Sequence, residues 1–139
     1  MVNIIVVTHG EFGAYLVEAA EEIVGPQESG VRCVSISSRL SVDEVRARLA
    51  AVVSELKGEG GLIVAVDMPG GTPCNIAMGV VREDPVIRVI CGVNLYMLVT
   101  AFGCRRTCGL DETVERMLSG GRRAIVDMKS LLVASKTNG

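Results

Sequence analysis

Residues 2–26 read VNIIVVTHGEFGAYLVEAAEEIVGP. The first six are an apolar, β-branched run broken only at Asn3, the pattern of a strand covered on both faces. From Phe12 the spacing changes to that of a helix, with Leu16, Ala19, Ala20 and Ile23 on one face, and Gly25-Pro26 ends it. A doubly covered strand needs helices on both sides of its sheet. This one stretch therefore points to a parallel α/β fold built from βα units.

The alternation continues along the chain. Val31–Ser37 (VRCVSIS), Gly61–Val66 (GLIVAV) and Val86–Cys91 (VIRVIC) read as three more strands. Ser41–Gly58 reads as a helix, with Ser41 as N-cap and Glu44 completing a capping box. Val45, Leu49, Val52, Val53 and Leu56 form its apolar stripe. Thr72–Val81 opens with Thr-Pro, a good helix start. Asn94–Gly103 and Asp111–Gly121 read as two further helices, and Arg123–Met128 (RAIVDM) as a short last strand. The order βαβαβαβ, two helices, β predicts an open, mostly parallel sheet with helices on both faces and right-handed crossovers. No linker or internal repeat interrupts it. The expectation is one domain over residues 1–130 and a C-terminal tail over 131–139, loose in its polar end ASKTNG.

Composition narrows the function. The chain has 139 residues, 49% of them hydrophobic, which fits one folded domain and excludes disorder. Aromatic residues are 3% and Trp is absent, so aliphatic side chains must build the core. A formal net charge of −2 without a basic block argues against nucleic-acid binding. No apolar stretch reaches the roughly 18–20 residues of a membrane span, and the N-terminus MVNIIVVTHG lacks a signal-peptide pattern. A cytoplasmic protein is expected. Cys33, Cys74, Cys91, Cys104 and Cys108 read as free thiols of a reducing compartment. Cys104 and Cys108 are spaced to share a helix face. With one histidine and no CxxC pair they form no zinc set, and no metal or cofactor is expected.

The chemistry gathers at two predicted strand ends. The first carries Thr8, His9 and Gly10, and His9 is the only histidine in the chain. The third runs into DMPGGTPCN, with Asp67, Gly70, Gly71, Thr72 and Asn75. Ligands of open α/β sheets collect at the carboxyl ends of strands where the strand order reverses. If these two strands are neighbours, the loops face each other there. A neutral imidazole nitrogen can attack phosphorus, and a carboxylate on the other nitrogen orients the ring and stabilises its positive charge. Gly70 and Gly71 allow close backbone approach, and Thr72 at a helix start suits an anion. His9 as nucleophile, Asp67 as orienter, and Thr72, Gly70, Gly71 and Thr8 around the phosphoryl group would make a phosphoryl-transfer site.

THGEFG, DMPGGTPCN and CGVNLYMLV, in this order and spacing, resemble the IIA component of the mannose/fructose/sorbose family of the bacterial phosphoenolpyruvate-dependent sugar phosphotransferase system. The resemblance runs over about residues 2–130. It implies a phosphotransferase component whose His9 takes phosphate from the phosphocarrier HPr on Nε2, with Nδ1 towards Asp67. The phosphate would pass to a IIB component and so, indirectly, to sugar entering through the IIC/IID permease, which would bring the protein to the membrane surface. The resemblance also implies a homodimer in which the last strand is exchanged and runs antiparallel at the partner's sheet edge. That would place Arg123–Met128. Serving two protein partners calls for a shallow, open site.

Two departures stand out. Tyr96 replaces the family's usual Pro, which bears on the rim of the site or a partner surface. No IIB domain follows, so IIB is expected as a separate protein. Without it, a regulatory phosphoacceptor with no transport role is the alternative. The phosphocarrier subunit of dihydroxyacetone kinase is a second, which GGTPCN and GVNLYMLV disfavour. THGE is also similar to the RHGE of histidine phosphatases, but that chemistry needs an Arg before the His and a second His. A receiver would need acidic residues at the first strand end, and a flavin would need aromatic stacking partners.

Overall fold

The computed structural model describes residues 1–138, and Gly139, the last residue of the expected tail, lies outside them. Four strands, β1 (Asn3–His9), β2 (Val31–Ile36), β3 (Leu62–Val66) and β4 (Ile87–Cys91), alternate with α1 (Phe12–Val24), α2 (Val42–Leu56) and α3 (Thr72–Val81). Helices α4 (Leu95–Cys104), α5 (Leu110–Arg123) and α6 (Met128–Asn138) follow. The sheet order is β2-β1-β3-β4, all parallel, so the order reverses between β1 and β3.

Strand alternation divides the core into two layers. Ile4, Val6, Ile63, Ala65 and Ile90 face α1, α4 and α5. Ile5, Val7, Val34, Val64, Val66 and Ile87 face α2 and α3. Val45, Leu49, Val53 and Leu56 of α2 are buried as its periodicity predicts, and Ser41 Oγ accepts the Glu44 N–H at 3.1 Å. Each such buried aliphatic side chain contributes about 1.5–3 kcal/mol. The seam of α1 is Gly13, Val17 and Ala20, with Leu16 partly covered. Ile23, expected on that seam, is 62% exposed.

The C-terminal segment differs from the sequence reading. Arg123 closes α5, and residues 124–127 form no strand. A strand exists only where another strand's edge pairs with it, and in the single chain residues 124–127 pair with none. Ile125 stands 81% exposed. Residues 128–138 form α6, where a loose tail was expected. Asp127 starts it by capping: its Oδ2 accepts from Ser130 Oγ at 2.9 Å and its Oδ1 from the Ser130 N–H at 3.2 Å.

Arg105, whose burial is not evident from the sequence, closes the amino-end side of the sheet. It is fully buried and donates to Gln27 Oε1 (2.9 Å), the Val2 carbonyl (3.1 Å) and the Ser29 carbonyl. Three acceptors satisfy a charge that would be costly to bury alone.

Candidate functional site

His9 ends β1, and Asp67 follows directly on β3. The two strands are hydrogen-bonded neighbours, so both residues sit at the switch point of the sheet. Asp67 Oδ2 accepts the backbone N–H of His9 at 2.9 Å and lies 2.7 Å from His9 Nδ1. Its Oδ1 accepts the Met68 N–H at 2.9 Å. Burial opposes the charge on Asp67, but its hydrogen bonds to His9 and Met68 outweigh this and hold the carboxyl below its ordinary value of 3.8. Asp67 is therefore a carboxylate at neutral pH. A carboxylate can only accept, so the hydrogen of a neutral ring sits on Nδ1 and the lone pair on Nε2. The His9 side chain is 50% exposed, against 10% for Asp67. The pair presents a nucleophilic nitrogen to solvent from a buried anchor.

Because the folded value lies below the unfolded one, the stability that Asp67 contributes is fully present above about pH 5. It is lost as pH falls through the lowered folded value. The advantage of wild type over Asp67→Asn should shrink between about pH 5 and pH 2 in urea unfolding. An advantage constant with pH would contradict the pairing.

The loop after Asp67 completes the site. Gly70 has φ +77°, a left-handed conformation that glycine adopts without strain. Gly71 is the N-cap of α3 and offers no side-chain cap. A β-carbon there would stand 3.4 Å from His9 Cε1, so bare backbone runs along the imidazole. Helix geometry leaves the N–H groups of Gly71, Thr72 and Cys74 without helical acceptors, and Pro73 has none to give. Thr72 is exposed and lines the same cavity as His9, about 270 Å³ and open to solvent. Asn75 is exposed one residue beyond Cys74, its N–H bonded to the Gly71 carbonyl at 3.1 Å.

Thr8 corrects the expectation that it binds the phosphoryl group. Strand alternation turns it away from His9, and it is 1% exposed. Its hydroxyl accepts from the Gly13 N–H at 3.1 Å and donates to the Gly10 carbonyl at 3.2 Å. Thr8 shapes the turn that carries the chain from His9, through Gly10 at φ +59°, into α1. Gly13 is the counterpart. A β-carbon there would fall 2.8 Å from Thr8 Oγ1 and 3.3 Å from Val6 Cγ1. Gly13→Ala should cost about 1–3 kcal/mol, visible as a lower melting temperature. An unchanged melting temperature would show that α1 can shift freely.

Ser37 and Ser38 also line the His9 cavity. The sequence signal for them was weak: a Ser-Ser pair at a strand end matters only once β2 is known to lie beside β1. Tyr96, in contrast, does not reach His9. Its ring packs against Gly120 of α5 and borders a separate groove of about 460 Å³ with Ile23, Leu95, Val99 and Ile125. Among the described residues no group of three or more His, Cys, Asp or Glu is placed to hold a metal ion.

Fold and site define an α/β protein with a single solvent-facing imidazole, oriented by a carboxylate beside an uncapped helix start. Over residues 3–118 the chain matches the family model described as PTS system fructose IIA component. It belongs to this family of IIA components of the sugar phosphotransferase system. It is 28% identical to the PTS system mannose-specific EIIAB component of Escherichia coli over 130 residues, 93% of this chain but 40% of that protein's length. It is 25% identical to the PTS system fructose-specific EIIA component of Bacillus subtilis, covering 84% of this chain and 80% of the relative. The solved phosphotransferase system component EIIA from Streptococcus agalactiae matches with a TM-score of 0.83 and 31% identity, covering 94% and 99% of the two chains. The mannose/sorbose specific IIA subunit from Enterococcus faecalis matches with a TM-score of 0.80 and 29% identity, covering 90% and 92%. No helix among the described residues is long and apolar enough to cross a membrane.

Proposed function

We propose that the protein is a phosphohistidine carrier that accepts a phosphoryl group from phospho-HPr on His9 and hands it to a IIB component for sugar uptake. The observation that carries this is the 2.7 Å contact between His9 Nδ1 and Asp67, which leaves Nε2 as the free nucleophile on a half-exposed ring. The Nε2 lone pair attacks phosphorus, and the bond from phosphorus to the donor breaks with its electron pair leaving on the donor. The ring becomes positive, and the Asp67 carboxylate offsets that charge. The N–H groups at the start of α3, with Gly71 and Thr72, receive the phosphoryl oxygens. Transfer to IIB reverses these steps. No cofactor takes part. The reading places the protein in the cytoplasm, meeting the IIC/IID permease through IIB.

An open site suits two protein partners in turn. Phe12 and Met68, 47% and 52% exposed, are apolar surface close in sequence to His9 and to Asp67 respectively. The test is label transfer from phosphoenolpyruvate through purified enzyme I and HPr, to wild type and His9→Ala side by side. Acid-labile label on wild type alone supports the reading. No label on folded wild type would overturn it.

The reading includes a homodimer in which Arg123–Met128 pairs as an antiparallel strand on the partner's β4. β4 pairs only with β3 in the described sheet, so its other edge is open. Ile125, Val126 and Met128 are 81%, 50% and 57% exposed. Exchange would pair that edge and cover those side chains. Light scattering should give twice the chain mass for wild type and a smaller mass for Ile125→Asp. A monomeric wild type at micromolar concentration would remove the dimer.

A further inference from the structure

Two thiols beside this site have no part in the transfer step. Cys74 lies in the first turn of α3, two residues after Thr72. Cys91 ends β4 and pairs in register with Val66, the residue before Asp67. Their sulfurs are 3.5 Å apart, and both residues are free and partly exposed. Cys91 also borders a surface cavity of about 230 Å³ with Gly92 and Asn94, wide enough to admit a small oxidant. A disulfide needs about 2.05 Å between sulfurs, so a small movement of the α3 start towards β4 would close the bond.

We propose that Cys74 and Cys91 form a reversible disulfide that slows phosphoryl transfer to His9, with a peroxide as oxidant. This rests on the phosphocarrier reading for its consequence, though not for its chemistry. Cys74 starts the reaction, because burial, Cys74 itself and Asp67 push the Cys91 thiol up to about 11. Cys74, as thiolate, attacks the O–O bond of hydrogen peroxide. One oxygen stays on sulfur as a sulfenic acid, and the other leaves as hydroxide, which takes up a proton to become water. The sulfur of Cys91 then attacks the Cys74 sulfur as its proton departs, and the sulfenic oxygen leaves as the second water. Two thiols and one peroxide become one disulfide and two waters, and a dithiol reductant reverses the change.

The consequence follows from the position of Cys74. A bond to β4 would draw the first turn of α3, with Thr72 and its N–H groups, along the sheet and away from the place where they meet the phosphoryl oxygens. Displacements near 1 Å at a reacting centre can cost up to about a hundredfold in rate. We expect about a tenfold loss for this partial displacement.

The experiment treats the full chain with hydrogen peroxide and divides it for two measurements. Peptide mass analysis should show Cys74 linked to the peptide that carries Cys91. The linkage should be lost in Cys91→Ser, retained in Cys104→Ser and removed by dithiothreitol. The rate of phosphorylation by phospho-HPr should fall about tenfold in oxidised wild type, recover on reduction, and hold steady in oxidised Cys91→Ser. Absence of the linkage overturns the proposal while leaving the carrier intact. A linkage with an unchanged rate overturns the switch. If reduced wild type takes no phosphate at all, the carrier reading fails and the regulatory role with it, while the mass analysis still decides whether the thiols pair.

Discussion

His9→Ala should take up no phosphoryl group from phospho-HPr while keeping the melting temperature of wild type to within about 2 °C. The first half follows from chemistry. The chain has no second histidine, and without the ring the polar side chains that line the cavity are the hydroxyls of Ser37, Ser38 and Thr72, with no base among them. No group can substitute, so the loss should reach background. The second half follows from packing. The ring is half exposed, and the backbone N–H of residue 9, which Asp67 also accepts, survives the substitution. The Met68 N–H likewise stays on Oδ1. Asp67 thus loses one of three hydrogen bonds and has solvent to replace it, a change of about 0.5 kcal/mol. Circular dichroism and a quantified label experiment on the same sample separate the two halves. A folded His9→Ala protein that still carries acid-labile phosphate would mean that the acceptor is elsewhere.

What could be read in the sequence, and what could not, divides along physical lines. The four strands and the helices α1 to α5 are local patterns: an apolar run, a capping box, a Thr-Pro start. Each comes from residues that touch within one element, and each is where it was expected. The pairing of His9 with Asp67 needed one non-local fact, the adjacency of β1 and β3, which the parallel α/β pattern supplies. The expectations that the single chain does not match turn mostly on which way a side chain faces or what pairs with it. Thr8 stands beside His9 in sequence but points into the core, because neighbours on a strand face opposite sides. Ile23 keeps the helical period of α1 but stands in its last turn, in the groove with Leu95 and Val99. Arg123–Met128 has the composition of a strand, and composition alone cannot supply the edge it would pair with. Arg105 looks like a surface charge until Gln27, Val2 and Ser29 are seen to converge on it.

Asp67→Asn should slow phosphorylation of His9 by about a thousandfold, more than its small change in shape suggests. The carboxylate presents Oδ2 to two donors at once, the His9 backbone N–H and Nδ1. An asparagine keeps one oxygen and replaces the other with an NH₂ group that can only donate. If its oxygen takes the Met68 N–H, the NH₂ stands where Oδ2 was, faces Nδ1 and favours the tautomer with hydrogen on Nε2. That nitrogen then has no lone pair for phosphorus. In hydrolase triads the same exchange of Asp for Asn beside a catalytic histidine costs about 10⁴ for this reason. The half-exposed ring of His9 can escape by turning to solvent, so a somewhat smaller loss is expected here. Asp67→Ala provides the control. It removes the orienting charge without imposing the wrong tautomer, so it should be slower than wild type yet faster than Asp67→Asn. Rapid-quench single-turnover kinetics give the three rates, and nitrogen chemical shifts of the His9 ring report which nitrogen holds the hydrogen. The order wild type, Ala, Asn, with the Asn ring protonated on Nε2, would establish that Asp67 acts by setting the tautomer. Equal rates for Ala and Asn, with the ring unchanged, would mean that the negative charge alone matters. Wild-type rates in both would remove Asp67 from the mechanism.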